Sequence, residues 1–167
     1  MIPRTFYYKR LFLIITYVLI SFLLLAQIEP AWAVNYSQQN LVERDFSGQD
    51  LRDAIFDHAN LRGANFSHAN LQGVRFFSAN LESANFEGAD LRFADLESAR
   101  LTKVNFTNAI LEGAFATNTL FSSTTIIDGA DFTDVLLRPD AEQKLCTIAK
   151  GTNPITGKNT KDTLFCP

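Results

Sequence analysis

The sequence predicts an all-β solenoid, and two observations carry that prediction. From Leu61 to Leu111 every fifth residue is Leu or Phe, without interruption. Ala or Val precedes each of these by two residues, and the residue between them is mostly Asn or Asp. The side-chain periods of a helix and a strand, about 3.6 and 2 residues, do not explain a period of five. A sustained fixed period is instead typical of a solenoid, whose repeats bury their apolar faces against their neighbours.

Each five-residue unit is predicted to form one short side of a coil. The small and the large apolar residue are two apart, so in extended backbone they point to the same side, and the Asn or Asp between them points outward. The next two residues must turn the corner. The second of them is rich in Gly and Ser, which are turn formers; these residues are Gly48, Gly63, Gly73, Ser78, Ser83, Gly88, Ser98 and Gly113.

A step of four units places like side chains above one another, which predicts a four-sided coil. Side one carries Leu41, Leu61, Leu81 and Leu101, and side two carries Phe46, Phe66, Phe86 and Phe106. Side three carries Leu51, Leu71, Leu91 and Leu111, and side four carries Phe56, Phe76, Leu96 and Ala116. With strands stacked about 4.8 Å apart, five coils form a rod about 24 Å tall.

These units, Ala-Asp/Asn-Leu/Phe-x-x from Leu41 to Leu137, resemble the pentapeptide-repeat family. The resemblance implies a right-handed quadrilateral parallel β-helix of about five coils, which we assign to residues 34–137. Its ends are irregular: Arg44 and Gln49 replace Ala in the first coil. Near the other end Ala116 stands where a large residue is expected, and we expect the pair Ile126-Ile127 to absorb one extra residue in a polar, bulged coil.

Residues 1–33 read as a cleavable export signal. Arg4, Lys9 and Arg10 precede an apolar run, and Ala31-Trp32-Ala33 supplies small residues at the two positions that a signal peptidase reads. We expect cleavage after Ala33. An uncleaved anchor stays open as the alternative, because the apolar run is nearly long enough to span a bilayer.

The remaining chain is acidic. Three basic residues and one acidic residue fall in the signal, which leaves 12 Lys plus Arg against 17 Asp plus Glu. This balance gives no basic footprint for nucleic acid. We therefore expect a soluble protein after signal removal, with no nucleic-acid and no membrane partner.

The C-terminal segment, residues 138–167, is predicted to form a helix and a disulfide-closed cap. Pro139 suits the first helical turn, and Gly151 suits the stop, so we expect a helix over Pro139–Lys150 followed by a loop over Thr152–Lys161. In an exported chain the pair Cys146 and Cys166 is most simply a disulfide. Two cysteines with no His nearby make a poor metal site, and Cys-x-x-Cys redox spacing is missing from the sequence.

This tail carries a second resemblance. It is similar to the ending of the thylakoid-lumen pentapeptide-repeat proteins of cyanobacteria and chloroplasts, through the pattern Cys146-x-x-Ala149-x-Gly151-x-Asn153-Pro154-x-Thr156-Gly157-x-x-Thr160-x-x-x-Leu164-x-Cys166. The resemblance implies a cyanobacterial protein of the thylakoid lumen or periplasm. It implies no activity.

No constellation of residues points to catalysis, a metal or another cofactor. His58 and His68 are two units apart, which places them on opposite sides of a four-sided coil. They are predicted to be surface residues that share neither a metal nor a catalytic triad. We therefore expect a protein that is not an enzyme.

One group of residues departs from the repeat pattern. Outward positions should be polar, yet five on side four or the corner leading into it are apolar: Ile55, Phe77, Phe93, Phe115 and Leu136. An apolar strip of this kind predicts a contact surface for a protein partner or for a second copy in a homodimer. In the alternative interpretation Phe115 turns inward beside Ala116, and Leu136 lies under the cap.

Three function classes follow. The favoured one is a non-enzymatic structural or protein-interaction module of the lumen or periplasm. The second is a DNA mimic that inhibits topoisomerases. The family resemblance implies this possibility, and the net negative charge of the repeats agrees with it. The third is a lumenal enzyme, or a redox-regulated protein acting through Cys146 and Cys166.

Overall fold

A computed structural model of the chain describes residues 33–167. The predicted export signal therefore lies outside the described residues, apart from Ala33. Between Ala33 and Pro167, no helix has both the length and the apolar character needed to cross a bilayer.

Four rows of parallel bridges organise residues 35–136. The rows begin with the pairs Asn35–Ile55, Asn40–Asn60, Asp45–Asn65 and Asp50–Asn70, and each continues to the equivalent residue four units later. Strands β1 (Arg100–Leu101) and β2 (Leu120–Phe121) pair in parallel in the same register. The chain thus winds into stacked four-sided coils of four units each, which confirms the predicted stacking of like side chains.

Most corners are tight turns whose third residue adopts a left-handed conformation. At one corner of the first coil the Ala54 N–H donates to the Leu51 carbonyl at 3.1 Å, and Asp53 has a φ of +56°. The equivalent residue one coil later is Gly73, with a φ of +66°. Gly accepts this region without steric cost, which explains why the sequence favours Gly at the second turn position.

The outward Asn and Asp side chains serve both the turn and the stack. On side two, Asn65 Oδ1 accepts the backbone N–H of Ser67, and Asn65 Nδ2 donates to Asp45 Oδ1 at 3.1 Å. Asn85 repeats the second contact one coil later by donating to Asn65. The carboxamide supplies both a donor and an acceptor, so this residue type satisfies the local turn and the neighbouring coil together.

The core is a continuous column of Leu, Phe and Ala side chains. On side two, Phe66 and Phe86 stack with their ring centroids 5.0 Å apart. Phe76, on side four, meets both rings edge to face. Burial of each such side chain contributes about 1.5–3 kcal/mol, so these columns supply much of the stability of the rod.

The register changes on side two of the last coil. Asn105 pairs with Ile126, one position beyond Thr125, which the regular step would select. The sequence predicts the extra residue at Ile126-Ile127, which is wrong: Ile126 points outward and Ile127 lies in the core, as in a regular unit. The insertion instead falls between Phe121 and Ile126, where the buried Thr125 hydroxyl donates to the Leu101 carbonyl. Ala116 occupies its core position as expected.

Helix α1 spans Pro139–Cys146, so its start is as predicted and its predicted end at Lys150 is wrong. It ends early because the Thr147 hydroxyl donates to the Lys144 carbonyl at 2.7 Å, and the Ile148 N–H donates to the Leu145 carbonyl in a tightened turn. Gly151 does not stop the helix. A Cβ there would lie 2.8 Å from the Gly129 nitrogen, so a close backbone approach requires this glycine.

A second short helix, α2, spans Thr160–Thr163, partly within the predicted loop Thr152–Lys161. Asn159 precedes it, and the Asn159 side chain accepts the Lys161 N–H at 3.0 Å. Asn is among the preferred residues at this position, so the sequence contained this signal.

The segment after α1 is anchored to the repeats by Asn153 and Lys158. Asn153 is buried, and its Nδ2 donates to the carbonyls of Asn108, Ala109 and Gly129 at 3.1, 3.3 and 2.9 Å. Lys158 Nζ lies 3.5 Å from the buried carboxylate of Asp131 on side three. These contacts place the tail against side three of the rod.

Candidate protein-interaction surface

The bridge row on side four shows how the predicted apolar strip is arranged. After Asn35, this row contains Ile55, Arg75, Asp95, Phe115 and Leu136 in successive coils. Two charged residues therefore separate Ile55 from the other apolar members. The strip is divided into an N-terminal and a C-terminal part rather than being continuous.

The N-terminal part, Ile55 and Phe77, is only half exposed. The Phe77 ring meets the His58 ring edge to face with centroids 5.6 Å apart. Beside them, Arg75 pairs with Asp57 at 2.7 Å. These side chains are largely engaged with one another, so they offer little free apolar surface.

The C-terminal part consists of three exposed apolar side chains, Phe93, Phe115 and Leu136, which we call the side-four patch. Their exposed fractions are 63%, 48% and 52%. The alternative interpretation, in which Phe115 turns inward and Leu136 is covered, is therefore wrong: Ala116 takes the core position and leaves Phe115 outside.

Phe93 is an unusual residue type for its backbone position at the corner leading into side four. Its φ is +59°, the left-handed conformation that equivalent corners mostly give to Gly, Ser or short polar residues. A bulky side chain in this region costs about 1–2 kcal/mol. A Cβ on Gly113, one coil later, would lie 2.8 Å from Cδ1 of Phe93. The ring thus lies over Gly113, two residues from Phe115.

The structure also exposes apolar residues that sequence reasoning missed. Leu120 and Ile126 point outward from sides one and two of the last coil. The rule that identified Phe115 applies to them as well, but the interrupted register hid their positions. Ile110 also occupies an outward position and is nevertheless buried, on the side to which the tail is anchored. Ile155 and Phe165 are exposed on the tail itself.

The other candidate sites lie apart from this patch. His58 contacts Phe77 on side four, whereas His68 lies beside Gly88, so the two are not brought together. Within residues 33–167 no group of three or more His, Cys, Asp or Glu could hold a metal ion. The sulfur atoms of Cys146 and Cys166 are bonded at 2.04 Å, as predicted, and border a surface groove of about 370 Å³.

Comparison with known proteins agrees with this architecture. Models of the pentapeptide repeat region and of pentapeptide repeats match residues 33–106 and 99–138. A crystal structure of a pentapeptide repeat protein from the Arabidopsis thaliana thylakoid lumen is 50% identical, with a TM-score of 0.77, over 78% of this chain and 90% of that one. The chain belongs to the pentapeptide-repeat family. It accordingly has the right-handed quadrilateral β-helix of that family.

Other relatives are similar over shorter parts of the chain. A pentapeptide repeat protein from Nostoc PCC 7120 is 27% identical, with a TM-score of 0.52, over 62% of this chain and 84% of that one. Thylakoid lumenal 15 kDa protein 1 of Arabidopsis thaliana is 53% identical over 29% of this chain. Thylakoid lumenal protein TL20.3 of the same plant is 48% identical over 24%. These matches span only 21% and 14% of the two lumenal proteins.

Proposed function

We propose that this pentapeptide-repeat protein is a non-enzymatic structural and interaction module of the thylakoid lumen, which binds a protein partner through the side-four patch. The observation that carries the proposal is the exposure of Phe93, Phe115 and Leu136 on a rod whose outward side chains are mostly Asn, Asp and other polar residues. Exposed apolar patches on soluble proteins commonly mark protein contacts.

A lumenal location is supported by three independent features. Relatives with thylakoid-lumen descriptions match both in sequence and in structure. The N-terminal residues carry the signature of an export signal. The Cys146–Cys166 disulfide fits a compartment outside the reducing cytosol, with the periplasm as the other location that these features allow.

We also infer that the rod has about five coils and that residues 138–167 form a cap on it. Four bridge rows that repeat every four units between residues 35 and 136 support that coil number. The last coil leaves strand edges that stacking alone cannot cover, and an open edge invites pairing with other chains. The Phe132 N–H donates to the Thr163 hydroxyl, and the Gly129 N–H donates to the Lys150 carbonyl. In the regular coils the equivalent N–H groups donate to carbonyls of the following coil, so the tail supplies the acceptors that a further coil would provide.

We assign no reaction to the chain. The histidines that sequence reasoning considered lie on separate sides of the rod. The described core consists of aromatic and aliphatic side chains, and several carboxylates of the repeats accept a backbone N–H, as Asp95 does, or pair with an arginine, as Asp57 and Asp90 do. These roles are structural, which favours a scaffold over an enzyme.

Affinity capture from a thylakoid-lumen extract tests the proposal. We expect the intact protein to retain a partner that the double variant Phe93→Ser/Phe115→Ser loses. Ile155→Ser/Phe165→Ser is the matched control, because it removes two exposed apolar side chains outside the patch. The proposal fails if both double variants capture the same proteins as the intact chain. It also fails if the control loses the partner equally.

A further inference from the structure

The side-four patch lies in an array in which acidic and apolar residues occupy adjoining positions. The bridge register arranges the outward residues of three successive coils in columns along the rod axis. One column contains Phe93, Gly113 and Asp134, and the column beside it contains Asp95, Phe115 and Leu136. The next column contains Glu97, Thr117 and Arg138. Carboxylates therefore stand on both flanks of the diagonal from Phe93 to Leu136, with Asp134 on one flank and Asp95 and Glu97 on the other.

These three carboxylates are free to meet a partner's charge. Within residues 33–167, Asp95, Glu97 and Asp134 form no ion pair. Asp95 Oδ1 accepts the Glu97 N–H at 3.0 Å, which fixes the Asp95 carboxylate beside Phe115.

The nearby arginines do not neutralise the array, because each is paired elsewhere. Arg92 Nε donates to Asp90 Oδ1 at 2.9 Å. This contact raises the pKa of Arg92. Burial alone raises the pKa of Asp90, but the hydrogen bonds from Arg92 and Gln72 outweigh it and hold that pKa below its usual range. Arg138 Nε lies 3.2 Å from Asp140 at the start of α1. The patch consequently keeps a negative rim.

We propose that the occupant of the side-four patch is a basic amphipathic segment of the partner, with two or more apolar side chains flanked by Lys or Arg. The inference rests on the proposed function and adds the chemistry of the partner. Phe93 and Leu136 lie two coils apart, about 10 Å along the rod axis. Apolar side chains two turns apart on a helix match that spacing.

The two kinds of side chain have different consequences for binding. Desolvated aromatic anchors near the centre of an interface carry most of its affinity. Rim charges act mainly on the association rate and on the dependence on salt. Loss of Phe115 should therefore abolish capture, whereas loss of the three charges should weaken capture and remove its salt dependence.

Site-specific photo-cross-linking tests this inference. The full chain, with benzoylphenylalanine in place of Phe115, is irradiated in thylakoid-lumen extract, and the cross-linked peptides are sequenced. We expect segments in which Lys or Arg flank apolar residues. The triple variant Asp95→Asn/Glu97→Gln/Asp134→Asn should reduce the yield of these cross-linked peptides about tenfold at low salt. High salt should cause the same reduction in the protein that keeps all three carboxylates.

The matched control is Glu43→Gln/Glu87→Gln/Asp162→Asn, which removes three exposed carboxylates outside the patch. It should leave the yield of cross-linked peptide unchanged. Three outcomes would overturn the inference while leaving partner binding intact. The cross-linked segments could be acidic or uncharged, the two triple variants could have equal effects, or cross-links could form only to a second copy of this chain. No cross-linked peptide at all would overturn the proposed function itself.

Discussion

The regular coils and the C-terminal end of this protein solve the same packing problem in different ways. Between residues 54 and 113, nearly every outward centre position is polar, and each coil supplies the hydrogen-bond partners of the next. From Phe115 onward the outward centres include Phe115, Leu120, Ile126 and Leu136, and the tail supplies the hydrogen-bond partners that a further coil would provide. The difference teaches that repetition provides stability, whereas the positions that depart from it carry the candidate contacts.

The contrast is clearest at the equivalent positions of side two. Asn65, Asn85 and Asn105 form a ladder of side-chain hydrogen bonds, and Ile126 ends it. A carboxamide at Ile126 could extend that ladder, but the chain presents an exposed apolar side chain instead. The end of the rod is therefore built for different surroundings from those of its middle.

The largest effect should come from breaking the regular core. Phe86 is fully buried and stacks on Phe66 and Phe106 with centroids 5.0 and 5.3 Å away. Phe86→Ala leaves a cavity in the column and should reduce the free energy of unfolding by about 3–5 kcal/mol in a urea titration. Glu87→Ala, an exposed neighbour, is the control and should change it by less than about 0.5 kcal/mol. Similar midpoints for the two variants would contradict the idea that the column is the source of stability.

Reduction of the disulfide should affect the tail alone. Cys146 and Cys166 close a loop with a sequence separation of 20, for which the expected stabilisation is about 3 kcal/mol. We expect mild reduction to increase proteolysis of residues 138–167 and to leave the β circular dichroism unchanged. Loss of most of the β signal would show that the tail and the coils unfold together, and so would contradict their division into two regions.

Removal of the buried Asn153 side chain should loosen the tail without touching the disulfide. Asn153→Ala leaves the carbonyls of Asn108, Ala109 and Gly129 without this donor, at a cost of about 1–3 kcal/mol. Hydrogen exchange should then accelerate at the tail amides and at Gly129, whose N–H donates to Lys150. Asn60→Ala, in the side-chain ladder of side one, is the control. Unchanged exchange in the Asn153 variant would refute the anchoring role.

A smaller, pH-dependent effect should appear at Asp131. Burial raises the pKa of this carboxyl, but the Thr133 hydroxyl and N–H, Thr156 and Lys158 outweigh it, so folding lowers its pKa overall. The unfolded state then binds more protons. The contribution of Asp131 is therefore complete above about pH 4 and is lost as the pH falls through the folded-state pKa.

Urea titrations between about pH 2 and 7 test this effect. Asp131→Asn should flatten the acid limb of the stability profile relative to the unaltered chain. Glu87→Gln, at an exposed carboxylate away from the tail contacts, provides the comparison. Parallel profiles for the Asp131 variant and the unaltered chain would contradict the assignment.

Local repetition made the coils predictable from sequence. A core position such as Phe86 is defined by its own unit and by identical residues one coil before and after it, so no distant contact is needed to place it. The start of α1 was equally local, since Pro139 suits a first helical turn. The disulfide followed from two cysteines and an export signal.

The errors arose where distant contacts decide the structure. Gly151 is read from sequence as a helix stop, but its role is set by the approach of Gly129, which belongs to the last coil of the repeats. The burial of Ile110 likewise depends on the side to which the tail returns, and periodicity contains no information about that choice. The division of the predicted strip is an exception, because the step of four units already places Arg75 and Asp95 in one row with Ile55, so the sequence contained this signal.

The measurement that tests the central claim most directly is partner capture by a regularised variant, Phe93→Ser/Phe115→Asn/Leu136→Asn, in which the side-four patch takes the residues typical of the repeat. Ser occupies the same turn position with a positive φ at Ser78, Ser83 and Ser98, and Asn suits the two outward centres. We predict a thermal midpoint at or above that of the unaltered chain together with complete loss of capture. Retained capture by the folded variant would contradict the claim that departures from the repeat carry the function.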